Sequence, residues 1–185
     1  CINLTGVSIP ESVTFISDAA FIYCDSLTYV TIPNSVKLIG NNAFSNCINL
    51  TGVSIPESVT SIGSSAFNSC DSLTSVTIPN SVTTIGLSAF YNCKSLKLVT
   101  LSDNMTVLNE RMFMYCTGLT SVSIPYRVTI IGARAFGECN SLTSVYIQNF
   151  ETMVQADSFT NVSGNNTSII RFRNSEIQVS GTNWN

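Results

Sequence analysis

The residues with the greatest chemical potential are seven cysteines, evenly spaced along the chain: Cys1, Cys24, Cys47, Cys70, Cys93, Cys116 and Cys139. Thiols can ligate metals, form disulfides or act as nucleophiles. Zinc sites use paired C-x-x-C spacing or histidines, and the sequence has neither. In stacked repeats about 4.8 Å apart, parallel cysteine side chains keep their Cβ atoms at that distance, longer than the ~3.5–4.5 Å of a disulfide. We therefore predict a ladder of buried, reduced thiols and no metal site.

A catalytic centre is not expected from the remaining polar residues. The chain contains no histidine, which removes the commonest general base and every Ser-His or Cys-His nucleophile pair. The acidic residues repeat instead of converging: Asp25 and Asp71, like Glu11 and Glu57, are separated by two cysteine spacings. In stacked repeats that places them roughly 10 Å apart, at or beyond the ~6.5–9.5 Å of an inverting glycosidase. We predict neither enzymatic activity nor a cofactor.

Charge and hydropathy exclude two further classes of partner. The 185 residues include eight basic and eleven acidic side chains, for a net charge of −3. This composition provides no basic field for nucleic acid or an anionic membrane. No apolar run approaches the ~18 residues of a membrane-spanning helix. Nucleic acid and membrane insertion are therefore not expected.

The cysteine spacing belongs to a repeat that covers most of the chain. If each cysteine is taken as repeat position 1, position 4 is always Leu, position 7 always Val and position 21 always Phe, in seven repeats. Position 9 is Ile in six repeats and Leu101 in the fifth, and all five prolines fall at position 10. Self-similarity at a fixed period is the signature of a solenoid.

The spacing within one repeat predicts its local structure. Positions 7 and 9 face one side of a short strand, which proline at position 10 ends. Positions 13 and 16 mark a second extended segment, and glycine at position 17 is expected to allow a tight turn with positive φ. Ala66, Phe67 and Cys70 have a spacing that suits a short helix. One repeat cannot bury its apolar side alone, so stacking is required.

The pattern C-x-x-L-T-x-V-x-I-P-x-S-V-T-x-I-G-x-x-A-F-x-x, seen in residues 47–69 and 70–92, resembles the BspA-type leucine-rich repeat. The resemblance covers residues 1 to about 161. It implies a right-handed leucine-rich-repeat solenoid found on surface or secreted proteins of bacteria and some protists. Such proteins are associated with adhesion and with binding host or matrix proteins. The expected fold is an α/β solenoid of 23-residue repeats, with a parallel sheet on one face and short helices or turns on the other.

Two stretches depart from this pattern, and the chain divides near its C-terminus. Repeat five has Ser102 in place of the proline, while repeat seven has Gln148 at position 10, Glu151 at position 13 and Gln155 at position 17. We expect seven repeats over 1–161 and, over 162–185, a C-terminal cap or the start of the next segment. The alternation of Ile170 and Phe172 is expected to supply a last strand. Because the first repeat starts without a polar cap, we expect the chain to be a fragment of a longer array.

The candidate binding residues lie where repeats five to seven differ at outward strand positions or beside them. Six such residues place aromatic and charged side chains on a Ser/Thr background: Lys97, Leu98, Asp103, Tyr126, Arg127 and Tyr146. Tyr and Arg most often carry interface energy. The sequence thus favours a non-catalytic protein-interaction module of a cell-surface or secreted, adhesin-like protein, with a host, matrix or cell-surface protein as partner.

Two alternatives remain open. The uniformity of the early repeats suits a structural spacer that displays other domains. A more remote possibility is a hydroxyl face for glycan or ice, because position 5 is threonine in six of the seven repeats. Cross-strand hydrogen bonding of these hydroxyls is the simpler interpretation.

Overall fold

Each repeat forms two short strands followed by a series of turns, as seen in a computed structural model that describes residues 1, 3–162, 168–172 and 175–179. The first strands of the seven repeats lie in three paired groups, which together we call the first sheet: β1 (Gly6–Ser8), β3 (Tyr29–Thr31) and β5 (Gly52–Ser54); β7 (Ser75–Thr77) and β9 (Leu98–Thr100); β11 (Ser121–Ile124) and β13 (Ser144–Ile147). The second strands lie in two paired groups, which together we call the second sheet: β2 (Phe15–Ile16), β4 (Leu38–Ile39), β6 (Ser61–Ile62) and β8 (Thr84–Ile85); β10 (Val107–Leu108), β12 (Ile130–Ile131) and β14 (Met153–Val154). Two further strands follow, β15 (Ser168–Phe172) and β16 (Ser175–Val179).

Within each group, neighbouring repeat strands pair in parallel with the register that the repeat predicts. Val7 is opposite Val30, Val30 opposite Val53, and Ile39 opposite Ile62, each pair being exactly one repeat apart in sequence. The backbone of β15 pairs in parallel with β13, with Val145 opposite Ile170, a spacing slightly longer than one repeat. The strand β16 then pairs antiparallel with β15. The first sheet therefore continues past the last repeat, while the division of the chain at residue 161 stays a prediction.

The predicted short helices are wrong, and the chain is a β-solenoid in which the described residues contain no helix. Positions 18 to 23 form consecutive turns because alternate N–H groups bond to the next repeat. Phe44 N–H, for example, donates to the carbonyl of Ala66 at 2.7 Å, whereas Cys47 N–H donates three residues back, to Phe44, at 3.3 Å. These bonds replace the i to i−4 pattern of an α-helix.

Backbone strain lies at positions that the sequence did not indicate. Positions 19 and 23 have a left-handed φ in all seven repeats, among them Asn42 at 53° and Asn46 at 59°. The positive φ predicted for the glycines at position 17 is wrong, since none of these glycines adopts it. They are needed for close approach instead: a Cβ on Gly63 would lie 2.6 Å from the backbone nitrogen of Asn41.

The core consists of ladders of identical side chains, as predicted. Adjacent Phe rings at position 21 stack with centroids 5.1 to 5.5 Å apart and planes within 11° of parallel. The five central rings are fully buried: Phe44, Phe67, Phe90, Phe113 and Phe136. The leucines at position 4 are also fully buried from Leu27 to Leu142. The ladders fix every repeat in register, so the outward side chains are held at set positions.

The repeats that depart from consensus keep their core by local substitution. Ser102, in the proline position of repeat five, is fully buried, and its hydroxyl donates to the carbonyl of Val82 at 2.8 Å. In repeat seven the turn is displaced by one residue, so that Thr152 is buried and donates to Val128 at 2.8 Å. Glu151 is consequently exposed instead of filling the valine site. The scaffold is continuous beneath the candidate surface.

Six of the seven cysteines form the predicted ladder of buried thiols, and Cys1 is exposed. The Sγ–H groups of Cys47 to Cys139 each donate to the carbonyl of a position-21 Phe, as Cys70 does to Phe44 at 3.3 Å. Burial raises the pKa of the Cys47 and Cys139 thiols to about 12. Because the thiolate is the reactive form, these thiols are chemically inert in the folded protein.

We expect a thiol-reactive dye to modify only Cys1 rapidly in the native protein, because the other six thiols are buried. In denaturant all seven should react. If three or fewer thiols react in denaturant, the cysteine ladder is oxidised. If several thiols react rapidly in the native protein, the ladder is not buried.

Candidate binding surface

All six candidate residues are exposed, so each is available to a partner. Leu98 and Tyr126 are 58% and 57% exposed, and Tyr146 is 42% exposed. These are large fractions for apolar or aromatic side chains, which folded proteins tend to bury. The inward neighbours on the same strands, Val99 and Val145, are buried. Alternation along the strand thus separates the positions that support the fold from those that face outward.

One group of candidates lies on the first sheet. Lys97 immediately precedes β9, which begins at Leu98, and Tyr146 lies on β13 two repeats later. Between them β11 presents Ser123, which is paired with Tyr146. Two strand spacings and two residues along a strand separate Leu98 from Tyr146 by about 12 Å. Tyr146 borders an open depression of about 330 Å³, whose other lining residues are small: Ser121, Val122, Ser123, Ser144 and Val145.

The second group lies beyond the strand ends, in the turns that lead to the second sheet. Asp103 follows β9, and Tyr126, at the equivalent position of the next repeat, follows β11 together with Arg127. The backbone N–H of Asp103 donates to Oδ1 of Asn80 at 2.8 Å. This bond uses the backbone of Asp103 and does not involve its exposed carboxylate. Asp103 lies six positions after Lys97 in the sequence, a span of up to ~20 Å. The structure therefore places the six residues on three adjacent repeats but in two groups.

The threonine column at position 5 is bonded along the solenoid. The hydroxyl of Thr51 donates to the carbonyl of Thr28 at 2.9 Å, and Thr28 donates in turn to Thr5 at 3.2 Å. Lys97 replaces threonine in this column, and its N–H keeps the backbone bond to Thr74 at 2.9 Å. These contacts match the cross-strand interpretation of the hydroxyls.

Two of the repeated acidic residues have separate partners in the structure. Asp71 forms an ion pair with Lys94 at 2.7 Å, and Glu57 accepts a hydrogen bond from the N–H of Ser81 at 3.3 Å. Among the described residues, no three His, Cys, Asp or Glu side chains are placed to hold a metal ion. In the same part of the chain, no helix has the length and hydrophobicity needed to cross a membrane.

A second surface, which sequence reasoning missed, lies on the turns of repeats three to six. It is an open groove of about 390 Å³ whose lining includes Ser88, Tyr91, Arg111, Tyr115 and Arg134. The rings of Tyr91 and Tyr115 meet edge to face, with centroids 5.4 Å apart at 77°. We call these lining residues the arginine–tyrosine groove.

The signal for this groove is present in the sequence at position 19. This repeat position is occupied by Ser65 and Ser88 in repeats three and four, and by Arg111 and Arg134 in repeats five and six. A helix predicted over this part of the repeat does not show that position 19 faces outward, so only differences at the strand positions indicate a binding surface. The turn geometry is what makes position 19 an outward column.

Comparisons with known proteins agree with this architecture. The family model described as BspA type leucine-rich repeat region, in six copies, matches residues 1–120 and 39–167. No curated protein is significantly similar to the chain. A leucine-rich repeat protein of Bacteroides ovatus is 30% identical, with a TM-score of 0.68 over 86% of this chain and 53% of that one.

Two further solved structures share the fold. A leucine-rich repeat protein of T. pallidum is 26% identical, with a TM-score of 0.68, over 80% of this chain and 78% of that one. A leucine-rich cell surface protein of Faecalibacterium prausnitzii is 27% identical, with a TM-score of 0.55, over 95% of this chain and 61% of that one. The chain thus spans only about half of the B. ovatus protein. Because the family model matches most of the sequence, the chain belongs to the BspA-type leucine-rich repeat family.

Proposed function

We propose that this chain is a non-catalytic protein-binding module of a cell-surface or secreted, adhesin-like protein. The observation that carries the proposal is the exposure of Leu98, Tyr126 and Tyr146 on three consecutive repeats of a scaffold whose inward positions are filled. Solenoids of this kind bind partners through extended outward surfaces. Membership of the BspA-type family and the name of the F. prausnitzii relative, a cell surface protein, support the location.

The six candidate residues supply what a protein interface requires. Aromatic residues and Arg are enriched in interfaces, and the truncation of a few of them removes most of the binding energy. Lys97 and Asp103 add opposite charges at the two ends of the first-sheet strand in repeat five. Three repeats cover roughly 10 Å along the solenoid, which is enough for the centre of a contact.

The test is binding of the purified chain to a panel of purified extracellular-matrix and cell-surface proteins. We expect at least one specific partner, whereas a structural spacer would retain none. Replacement of Leu98, Tyr126 and Tyr146 together with alanine should weaken that binding at least tenfold, because truncation of central aromatic and apolar side chains costs ~1–2 kcal/mol each. The melting temperature should change little, since exposed substitutions affect stability by about 0.5 kcal/mol or less.

The matched control is Tyr29→Ser, which removes an exposed aromatic residue from the first sheet outside the candidate surface. Tyr29 is 50% exposed on β3, and serine occupies the equivalent position on β7 and β11. Binding should be unchanged in this variant. If the triple variant binds as well as the native chain, the candidate surface is not the binding site.

A further inference from the structure

We propose that the arginine–tyrosine groove is a second binding site, separate from the first sheet, and that it takes an acidic peptide segment. The groove joins the outward turns of four consecutive repeats. It is independent of the proposed function, because none of the six candidate residues lines it. Its chemistry also differs from that of the six candidate residues, because the groove combines two arginines with two tyrosines and, within the described part of the chain, has no acidic lining residue.

Charge is the first observation that supports an anionic ligand. Arg111 and Arg134 are at equivalent positions on adjacent repeats, so their Cα atoms lie roughly 5 Å apart. Of the described residues that line the groove, none is acidic. Arg111 forms an exposed ion pair with Glu110 at 3.2 Å, and an exposed pair of this kind contributes little. Arg134 forms no ion pair with any described residue, including Asp157 at the equivalent position of the next repeat.

The shape of the groove supports a peptide over a small anion. Tyr91 and Tyr115 present ring surface beside the arginines, and Met114, which is largely buried, also lines the groove. Arginine, tyrosine and methionine are enriched at protein interfaces, and the guanidinium fork fits a carboxylate with two parallel hydrogen bonds. Alternate side chains of an extended peptide are about 7 Å apart on one side, within reach of both long arginine side chains.

The chain itself provides variants that preserve the fold. Position 19 has a left-handed φ of 54° to 55° in Ser65, Ser88, Arg111 and Arg134, so serine is accepted at this backbone geometry. Arg111→Ser and Arg134→Ser therefore remove the charge without altering the turn. Lys37→Thr is the control, because Lys37 is exposed, lies outside the groove and outside the six candidate residues, and threonine occupies the equivalent position of the other repeats.

The probe is a fluorescent hexapeptide of alternating Glu and Leu, compared with the same peptide containing Gln and with a tetramer of galacturonic acid. We expect the Glu peptide to bind, Arg134→Ser to weaken binding about tenfold, and the double variant to weaken it further. Lys37→Thr should have less than a twofold effect, and the Gln peptide should bind at least tenfold more weakly. The proposal fails if the double variant binds the Glu peptide equally well, or if the Gln peptide binds as tightly. Binding of the sugar acid without the peptide would also overturn it.

Discussion

Replacing Phe67 with alanine should lower the free energy of unfolding by about 3–5 kcal/mol, because the change leaves a cavity in a filled core. Phe67 is fully buried, and its ring stacks on Phe44 at 5.3 Å and on Phe90 at 5.2 Å. The loss therefore includes two stacking contacts as well as the buried area. Such a loss is a large part of the roughly 5–15 kcal/mol that stabilises most domains.

The measurement is urea unfolding followed by circular dichroism and by fluorescence. Phe15→Ala is the matched control, because Phe15 is 58% exposed and its removal should cost about 0.5 kcal/mol or less. A loss below about 1 kcal/mol for Phe67→Ala would mean that the phenylalanine ladder does not hold the repeats together.

The folded chain should lose stability steeply as the pH rises above about 9, because burial raises the pKa of four of its thiols. Burial raises the pKa of Cys47 and Cys139 to about 12 and raises those of Cys70 and Cys116 as well. In the unfolded chain a thiol loses its proton near its ordinary pKa of about 8.5 to 9. A raised folded-state pKa therefore contributes stability that is complete below about pH 8.5 and is lost between there and about 12. In that range each such thiol lowers the free energy of unfolding by up to about 1.4 kcal/mol per pH unit.

The urea midpoint should thus be nearly constant from pH 6 to 8 and should fall from pH 9 to 11. Replacing Cys70 and Cys116 with alanine should make the fall shallower. Ile62→Ala is the control, because it removes a buried side chain that does not ionise and should lower stability by the same amount at every pH. A slope that is unchanged in the double cysteine variant would contradict a role for the thiols.

The ladders were predictable from the sequence because inward side chains follow strict spacing. Val7, Val30 and Val53 recur once per repeat and pair with one another in the first sheet. The same side-chain pattern determines which residues face outward, so the exposure of Leu98 and Tyr146 also followed from it. Register and burial are therefore the two features that a repeat sequence expresses directly.

The turns were not predictable in this way, because their hydrogen bonds join different repeats. The spacing of Ala66, Phe67 and Cys70 is the same in a helix and in the turns observed. What distinguishes them is that Phe67 N–H donates to Ala89, in the next repeat, at 2.8 Å. A pattern within one repeat contains no information about that bond. The helix assignment also concealed the arginine–tyrosine groove, because it left the outward direction of Arg111 and Arg134 undefined.

The division between inward and outward positions also explains the two groups of candidate residues. Position 6 and position 8 lie on a strand, whereas position 11 lies in the turn that follows it, as Tyr126 does after β11. Sequence spacing placed these residues beside one another along the chain without showing that the strand ends between them. A partner that uses both groups must therefore extend across the end of the first sheet.

We propose that inward residues hold this chain together and that outward residues of repeats five to seven bind its partner, and this proposal has a direct test. Its most direct test reverts all six candidates to residues that other repeats have at the same positions. The variant carries Lys97→Thr, Leu98→Ser, Asp103→Asn, Tyr126→Asn, Arg127→Ser and Tyr146→Thr. Its affinity for the partner and its unfolding free energy are measured together. We predict loss of binding with unfolding free energy within about 1 kcal/mol of the native chain. Unchanged binding, or loss of binding only because the chain unfolds, would contradict the claim.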